Sequence, residues 1–501
     1  MNTPLRRVTL VVVLMVVALL ANATYIQVFR ADSLRADPRN ERVLLDEYSR
    51  QRGSILAGPA VMASSIKTAD RYKYLRVYPE DLARAYSPIT GYYSMVYASS
   101  GLEHAEEPLL NGSDNRLFGR RIIDLVQGRD PRGGNVITTI NPTLQRVAYQ
   151  GLTTACGASP CHGAAVAIEP QTGKILAMVS TPGYDPNPLA SHDPQVAADA
   201  WKRLQADSTD PMLNRAISAT YPPGSTFKVI TTAAALTQGS ADLDTRLTSS
   251  SVITLPGTTT TLSNYAGETC PDATGGTVSL LQAFQYSCNT AFVMLATQKL
   301  RNGIDALKQM AANFGIDQPV APIPLAVAQS TVGTIPDTAA LGQSAIGQRD
   351  VALTPLENAE IAATLANGGI RMQPYLVDSL QAPDLTTLAT TQPHQLGQAI
   401  TPQVALTMRQ LMIASEQHTT GASSDTVAIA SKTGTAEHST GRSDEAPHAW
   451  YIAYGPVNDP KVAVAVIIEN GGNEGEAATG GSIAAPIGRA VIDAAVNGQG
   501  N

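Results

Sequence analysis

Ser225-Thr226-Phe227-Lys228, Ser287-Cys288-Asn289 and Lys432-Thr433-Gly434 follow one another down the chain in that order. A serine with a lysine three positions on, a second hydroxyl beside an amide, and a lysine on a β-type segment are the parts of a serine acyl-transfer site. Serine is a weak nucleophile until something takes its proton. Residues three apart share a helix face, so a helix opening at Ser225 holds Lys228 beside the Ser225 hydroxyl. Tyr221-Pro222-Pro223-Gly224 breaks the chain just before it, and residues 226–235 contain no breaker. A lysine is a base near neutral pH only when burial or a cationic neighbour lowers its pKa. Lys432 is such a neighbour. A helix N-terminus also favours negative charge near Ser225.

The serine–lysine spacing has a competitor. Ser64-Ser65-Ile66-Lys67 repeats it, and Ser113-Asp114-Asn115 offers the Asp form of the second motif. No Lys-Thr-Gly follows Asn115 before Lys432, and Gly112-Ser113-Asp114-Asn115 reads as a polar turn. A motif without its context is a chance match, and the 64/113 pair is set aside on that ground.

The elements that must position the 225/287/432 set can be read next. Residues 277–286 and 290–300 read as two helices, with Ser287-Cys288-Asn289 at their junction and its side chains facing a cleft. Residues 426–431 are short, apolar at the centre and made of small and β-branched types. Lys432-Thr433-Gly434 therefore reads as the end of a strand. Residues 448–454 and 462–468 are two further strands joined by a short polar turn. Together they predict an antiparallel meander whose first member carries the site.

The chain has 501 residues, enough for two or three domains. Hydrophobic content of 44% with only 5% aromatic residues means that Ala, Val, Leu and Ile must fill the core. A net charge of −7 argues against nucleic acid as a partner. No cofactor and no metal site is expected. Arg6-Arg7 precede 22 uncharged residues, 8–29, long enough to span a bilayer with the arginines left in the cytoplasm. Ala21-Asn22-Ala23 also resembles a signal-peptidase site. An uncleaved single-pass anchor is favoured, and both readings put the rest of the chain outside the cytoplasm. Export bears on the four cysteines, Cys156, Cys161, Cys270 and Cys288, for which three pairings exist. The preferred pairing is 156–161 with 270–288. The alternatives are a zinc site, for which no paired C-x-x-C pattern is present, and reduced buried thiols.

Roughly 110 residues lie between the apolar segment and the catalytic part, enough for one small domain. Tyr92, Tyr93 and Tyr97 there read as core. The charged stretch 30–52 and a turn-rich junction at Asp130-Pro131-Arg132-Gly133-Gly134 bound this segment. The expected division is 8–29 membrane anchor, 30–134 N-terminal pedestal and docking domain, and 135–497 catalytic domain.

Beyond the three motifs, Arg52-Gly53-Ser54-Ile55, Gly101-Leu102-Glu103, Leu110-Asn111-Gly112, the run 139–145, the strands around Gln171-Thr172-Gly173, Asp185-Pro186-Asn187, His448-Ala449-Trp450 and Ala484-Ala485-Pro486 resemble a class B penicillin-binding protein of the actinobacterial type. The likeness covers roughly residues 40 to 495. It implies an α/β (α+β) fold: a membrane helix, a pedestal domain, and a transpeptidase domain with an antiparallel sheet flanked by helices plus a helical subdomain. It also implies a serine-type D,D-transpeptidase of cell-wall peptidoglycan, serving cell division or cell shape and inhibited by β-lactams. By the resemblance, Ser225 attacks the penultimate D-Ala of a stem peptide ending in D-Ala-D-Ala, and Lys228 takes its proton. Ser287 relays a proton to the leaving group, with Lys432 and Asn289 holding that network. Thr433 and Lys432 receive the terminal carboxylate in the Lys432-Thr433-Gly434-Thr435 strand, and the N–H groups of Ser225 and Thr435 form the oxyanion hole. The implied partners are stem peptides, β-lactams, the cytoplasmic membrane, and a SEDS-family glycan polymerase or division complex. Cys288 departs from the Asp that β-lactamases usually carry between the serine and the asparagine.

Three alternatives on the same residues are a D,D-carboxypeptidase, a β-lactamase and a non-enzymatic β-lactam sensor or scaffold. A class A lactamase needs a Glu to activate the deacylating water, and no Glu-x-x-Leu-Asn follows Ser287. A sensor is expected to carry several spans or an output domain. Water and an amine compete for one acyl-enzyme, so the carboxypeptidase stays closest to the transpeptidase.

Overall fold

A computed structural model describes residues 2–30, 45, 47–127, 132–320, 323–421, 427–437 and 446–498. Most of the charged stretch 30–52, Asp130 and Pro131 of the expected junction, and Thr426 lie outside the described residues.

Helix α1 (Asn2–Phe29) carries the apolar segment, and its side chains from Pro4 on are exposed. By length and composition it can cross a membrane.

The N-terminal unit is built on β1 (Ile55–Ala57), β2 (Ala60–Lys67), β3 (Tyr74–Val77) and helix α2 (Ala83–Thr90). Strand β4 (Asn135–Thr138) then joins the same sheet, parallel to β1. Helix α3 (Pro142–Thr154) starts at Asn141, whose side chain accepts from the N–H groups of Thr143 and Leu144. Gly133 and Gly134 are locked in place rather than loose. Their N–H groups donate to Gln51 O and Leu109 O. A Cβ on Gly53 would stand 1.8 Å from Gly134 O, so backbone meets backbone there.

The catalytic part holds the all-antiparallel five-stranded sheet. Its first two strands in sequence are β5 (Gly163–Ile168) and β6 (Ile175–Thr181), the expected hairpin around Gly173. Helix α4 (Lys228–Thr237) follows, then β7 (Arg246–Thr248) and β8 (Thr277–Ser279), which pair with each other. Helices α5 (Leu280–Gln285), α6 (Asn289–Met294) and α7 (Pro355–Ala366) come next. Strands β9 (Val377–Gln381) and β10 (Thr387–Thr390) return to the first sheet, giving it the order β10-β9-β4-β1-β2-β3. Helix α8 (Pro402–His418) leads to the meander β11 (Ala430–Ala436), β12 (His448–Gly455) and β13 (Val462–Ile468), and α9 (Ala485–Asn497) closes the fold. The second sheet runs β11-β12-β13-β5-β6.

Alternation explains how this sheet is covered. In β13, Ala463, Ala465 and Ile467 enter the core shared with α7, while Val462, Val464 and Val466 enter the core shared with α3 and α9. All seven β13 residues are buried. A strand covered on both faces reads as an unbroken apolar run, which is what residues 462–468 show. The N-terminal tyrosines are core, as expected. Tyr92 and Tyr93 are buried, and Tyr97 stacks on Trp201 at 4.5 Å.

Three local expectations need correction. Residues 277–279 are a strand, not the start of a helix. Thr277 and Val278 are β-branched and pair with Thr248 and Leu247. The helix begins only after Ser279, which forms a capping box with Gln282. The turn Gly224–Phe227 is 3₁₀, and the α-helix proper begins at Lys228. Lys432-Thr433-Gly434 lies inside β11 rather than at its end.

Candidate active site

The serine turn is seated by glycines and prolines. Gly224 has φ +54° and its N–H donates to Gly347 O at 3.0 Å. A Cβ on Gly224 would meet Thr435 O at 2.8 Å, and one on Gly347, at φ +73°, would meet Gly224 O at 2.2 Å. A Cβ on Gly434 would likewise meet Pro223 O at 2.8 Å. These contacts press the turn against β11. Trp450 Nε1 on β12 donates to Pro222 O at 2.9 Å, and Tyr221 bridges to Leu353 by backbone bonds in both directions. Ser225 itself is half-buried at the mouth, while Thr226, Phe227 and Lys228 are buried.

Lys228 Nζ donates to Ser287 O at 2.7 Å and to Asn289 Oδ1 at 2.7 Å, and it lies within hydrogen-bond distance of Ser287 Oγ at 3.1 Å. Lys432 Nζ donates to the same Ser287 Oγ at 2.9 Å and to Thr433 O at 3.0 Å. Ser287 Oγ thus sits between two amines, both from fully buried residues. Among the described residues neither amine has a carboxylate partner. The Phe292 and Phe284 rings stand 5.3 and 5.8 Å from them. Burial drives the Lys228 amine well below its ordinary pKa, and Lys432 adds to the effect. Burial alone lowers Lys432 to about 7. A neutral amine at Lys228 can accept a proton, which an ordinary lysine at pH 7 cannot.

Ser287 is held in the left-handed region, φ +57°, between α5 and α6. Its N–H donates to Phe284 O at 3.2 Å. Cys288 is bonded to Cys270, and Cys156 to Cys161, the preferred pairing. Asn289 Nδ2 donates to Ser263 O at 3.0 Å, which leaves its Oδ1 turned to Lys228. Thr433 and Thr435 are half-buried on β11, which among the described residues is an edge strand paired only with β12. An edge strand offers unpaired backbone groups to an incoming peptide.

The competing set does not assemble. Ser64 and Lys67 lie on β2, where positions three apart face opposite sides, and Lys67 is exposed. Asp114 caps a short 3₁₀ turn through Arg116 N at 2.7 Å. The structure instead brings in residues that the sequence reading passed over: Gly347, Trp450, Phe284, Phe292 and Asn264, whose Oδ1 accepts from Thr290 N at 3.0 Å. Of these only Trp450 carried a signal, in His448-Ala449-Trp450.

The family profile of the penicillin binding protein transpeptidase domain matches residues 163–493. That of the penicillin binding protein A dimerisation domain matches residues 52–136. The peptidoglycan D,D-transpeptidase PbpA of Mycolicibacterium smegmatis is 60% identical over 498 residues, 99% of each chain. The protein of that name from Mycobacterium tuberculosis is 58% identical over 501 residues, all of both chains. The ceftriaxone acyl-enzyme of penicillin-binding protein A from M. tuberculosis superimposes with a TM-score of 0.86 at 58% identity, over 90% of this chain and 100% of that one.

Proposed function

The chain belongs to the penicillin-binding protein transpeptidase family, and on that premise we propose a residue-level account of its work as a peptidoglycan D,D-transpeptidase acylated by β-lactams. Ser225 Oγ attacks the carbonyl carbon of the penultimate D-Ala while neutral Lys228 takes its proton. The N–H groups of Ser225 and Thr435 hold the oxyanion, where developing charge is stabilised most. The packing of the serine turn on β11 supports that pairing of N–H groups. The C–N bond to the terminal D-Ala breaks, and Ser287 hands the proton to the leaving amine. The amine of a neighbouring stem peptide then attacks the ester and loses a proton along the same path. Ser225 leaves as the hydroxyl. Lys432 and Thr433 receive the substrate's terminal carboxylate, and Asn289 orients Lys228.

One observation carries the reading: Ser287 Oγ lies 3.1 Å from one buried amine and 2.9 Å from another. That chain of hydrogen bonds is a proton path between the nucleophile's base and the leaving group. The test is intact-mass analysis after incubation with a penicillin. One drug per chain, stable for the length of the experiment and recovered on the peptide containing Ser225, is the expected result. Labelling at Ser64 instead would overturn the assignment.

The proposed division is anchor 8–29, pedestal 30–134 and transpeptidase 135–497. The anchor would be single-pass in the cytoplasmic membrane with the catalytic part outside. Arg6-Arg7 in the first turns of α1, ahead of the uncharged run 8–29, and two disulfides support that orientation. Service to a SEDS-family glycan polymerase or division complex rests on the family resemblance.

A further inference from the structure

Strand β11 carries Lys432, yet among the described residues it has a neighbouring strand on one side only. The residues flanking it, 422–426 and 438–445, lie outside the described residues. Besides β12 and the serine turn, a polar cluster on the face opposite Lys432 holds it. Glu416, in the last turn of α8, reaches over the edge of β11. Its Oε2 accepts from Ser431 Oγ on β11 and from Tyr451 OH on β12, the latter at 2.9 Å. Its Oε1 accepts from Arg489 Nε on α9 at 2.7 Å. Arg489 Nη1 donates in turn to Thr420 O at 2.8 Å, just past α8. Ser431 and Tyr451 are fully buried, and Glu416 and Arg489 are each only 7% exposed. One carboxylate therefore ties two helices and two strands together. Ser431 is the residue next to Lys432, so the tie acts one peptide away from the amine that meets Ser287.

We propose that Glu416, held by Arg489, is a positioning residue for the transpeptidase reaction: it clamps the open edge strand so that Lys432 stays on Ser287. This rests on the role given to Lys432 above. The clamp is suited to that task for three reasons. Its two oxygens accept from three donors on three different elements, which fixes the carboxylate in one place. It holds the strand through Ser431, on the face opposite Lys432, so it does not occupy the side on which Lys432 meets Ser287. Errors of about 1 Å in a supporting group can cost roughly 10²-fold in rate, so an edge strand that carries a proton-path amine needs such a tie. Burial and Glu416 both push the Tyr451 phenol well up, so it remains a donor.

The test uses the full-length protein in detergent, with acylation by a fluorescent penicillin followed at several concentrations and pH values. Glu416→Gln keeps the size but turns one acceptor into a donor facing other donors. The expected result is a fall of about tenfold or more in the saturating acylation rate. The rising limb of the pH profile should also move to higher pH, because a displaced Lys432 no longer adds to the lowering of the Lys228 pKa. Tyr451→Phe and Ser431→Ala each remove one donor and should produce smaller changes of the same kind. Combining Tyr451→Phe with Glu416→Gln should add little. If Glu416→Gln fails to fold, the two milder variants decide. Acylation within twofold of wild type at an unmoved pH limb would overturn the clamp. So would a loss that matches only the fraction unfolded. Lys432→Ala separates the two layers of the argument. If it acylates normally, the role of Lys432 falls. If it is impaired while the clamp variants are not, the clamp alone falls.

Discussion

Two places in this molecule bury a pair of cationic side chains, and they treat the charge in opposite ways. In the N-terminal unit, Arg52 Nε and Arg76 Nε close on the two oxygens of Glu103, at 2.7 and 2.5 Å. Tyr78 OH reaches the same carboxylate at 3.2 Å. Burial pushes Glu103 up, but Arg76 and Arg52 outweigh it and hold its pKa below the usual range. In the candidate site, the polar partners of Lys228 and Lys432 among the described residues are carbonyl, hydroxyl and amide oxygens. The response of the two lysines is to lose basicity. A buried cation is either paired or neutralised. The first arrangement locks three segments of chain together: the start of β1, strand β3 and the 101–105 helix. The second leaves an amine free to move a proton.

The largest expected effect follows from that contrast. Lys228→Ala removes a base and also removes a desolvated amine. Acylation by penicillin should fall roughly 10²–10⁴-fold, while thermal unfolding stays close to wild type. Lys67→Ala, on an exposed strand position, should acylate normally. If both variants acylated alike, the choice between the two serine–lysine patterns would lose its support. Glu103→Gln should behave the other way round. Breaking a buried ion pair by removing one partner costs about 3–5 kcal/mol. Denaturant unfolding should show the loss in the N-terminal unit, with acylation by the folded fraction nearly unchanged. A Glu103→Gln protein as stable as wild type would dissolve the comparison.

The pH dependence sharpens it. Both lysines have folded pKa values below their unfolded ones, Lys432 at about 7. Protons are lost from the folded site first, so the acylation rate should rise with pH through a limb set by Lys228, well below the ordinary lysine value. The unfolded chain binds more protons from about 7 up to the ordinary lysine value of 10.5, so the contribution of this pair to stability rises with pH across that window. Glu103 has a depressed folded pKa. Its stabilisation is present above the ordinary carboxylate value and is lost as pH falls through the lowered one. Acid should therefore weaken the N-terminal unit while it also silences the active site by protonating the lysines. A rate that begins to rise only near the ordinary lysine value of 10.5 would contradict the neutral-lysine reading.

How much of this was legible in the sequence differs by element. The meander and the 163–181 hairpin were, because unbroken apolar runs bounded by turn residues are local signals. The spacing of Ser225 and Lys228 was legible for the same reason. The shared six-stranded sheet was not. Strands 55–57, 135–138 and 377–381 are short, and their pairing is set by contacts far apart in sequence. Nor was the Glu103 triad, since Gly101-Leu102-Glu103 says nothing about which arginines meet it. Residues 277–279 misled because three β-branched or polar residues ahead of a helix look like its first turn. Glu416 sits in an ordinary amphipathic helix, and its meeting with Ser431, Tyr451 and Arg489 depends on three other elements being in place.

The smallest predicted effect concerns the Cys270–Cys288 disulfide, beside the second of the two regions. Ser287 is a non-glycine residue at φ +57°, a backbone state that persists only when its surroundings enforce it. Those surroundings are its N–H bond to Phe284 O, the Asn289 bond to Ser263 O, and the bridge at Cys288. Cys270 is itself held by its N–H to Ser249 O at 2.9 Å, so the bridge ties the second motif to the β7 region. A disulfide contributes about 2–4 kcal/mol, mainly by restricting the unfolded chain. Cys270→Ser or mild reduction should therefore lower the melting of the catalytic part modestly and leave the Glu103 unit alone. Because Ser287 Oγ must stay between two amines, acylation should slow about threefold to tenfold in the folded protein. Non-reducing peptide mapping tests the bridge, and stopped-flow acylation tests its consequence. Wild-type acylation in a Cys270→Ser protein would show that the remaining hydrogen bonds hold Ser287 unaided, and the disulfide would then serve stability alone.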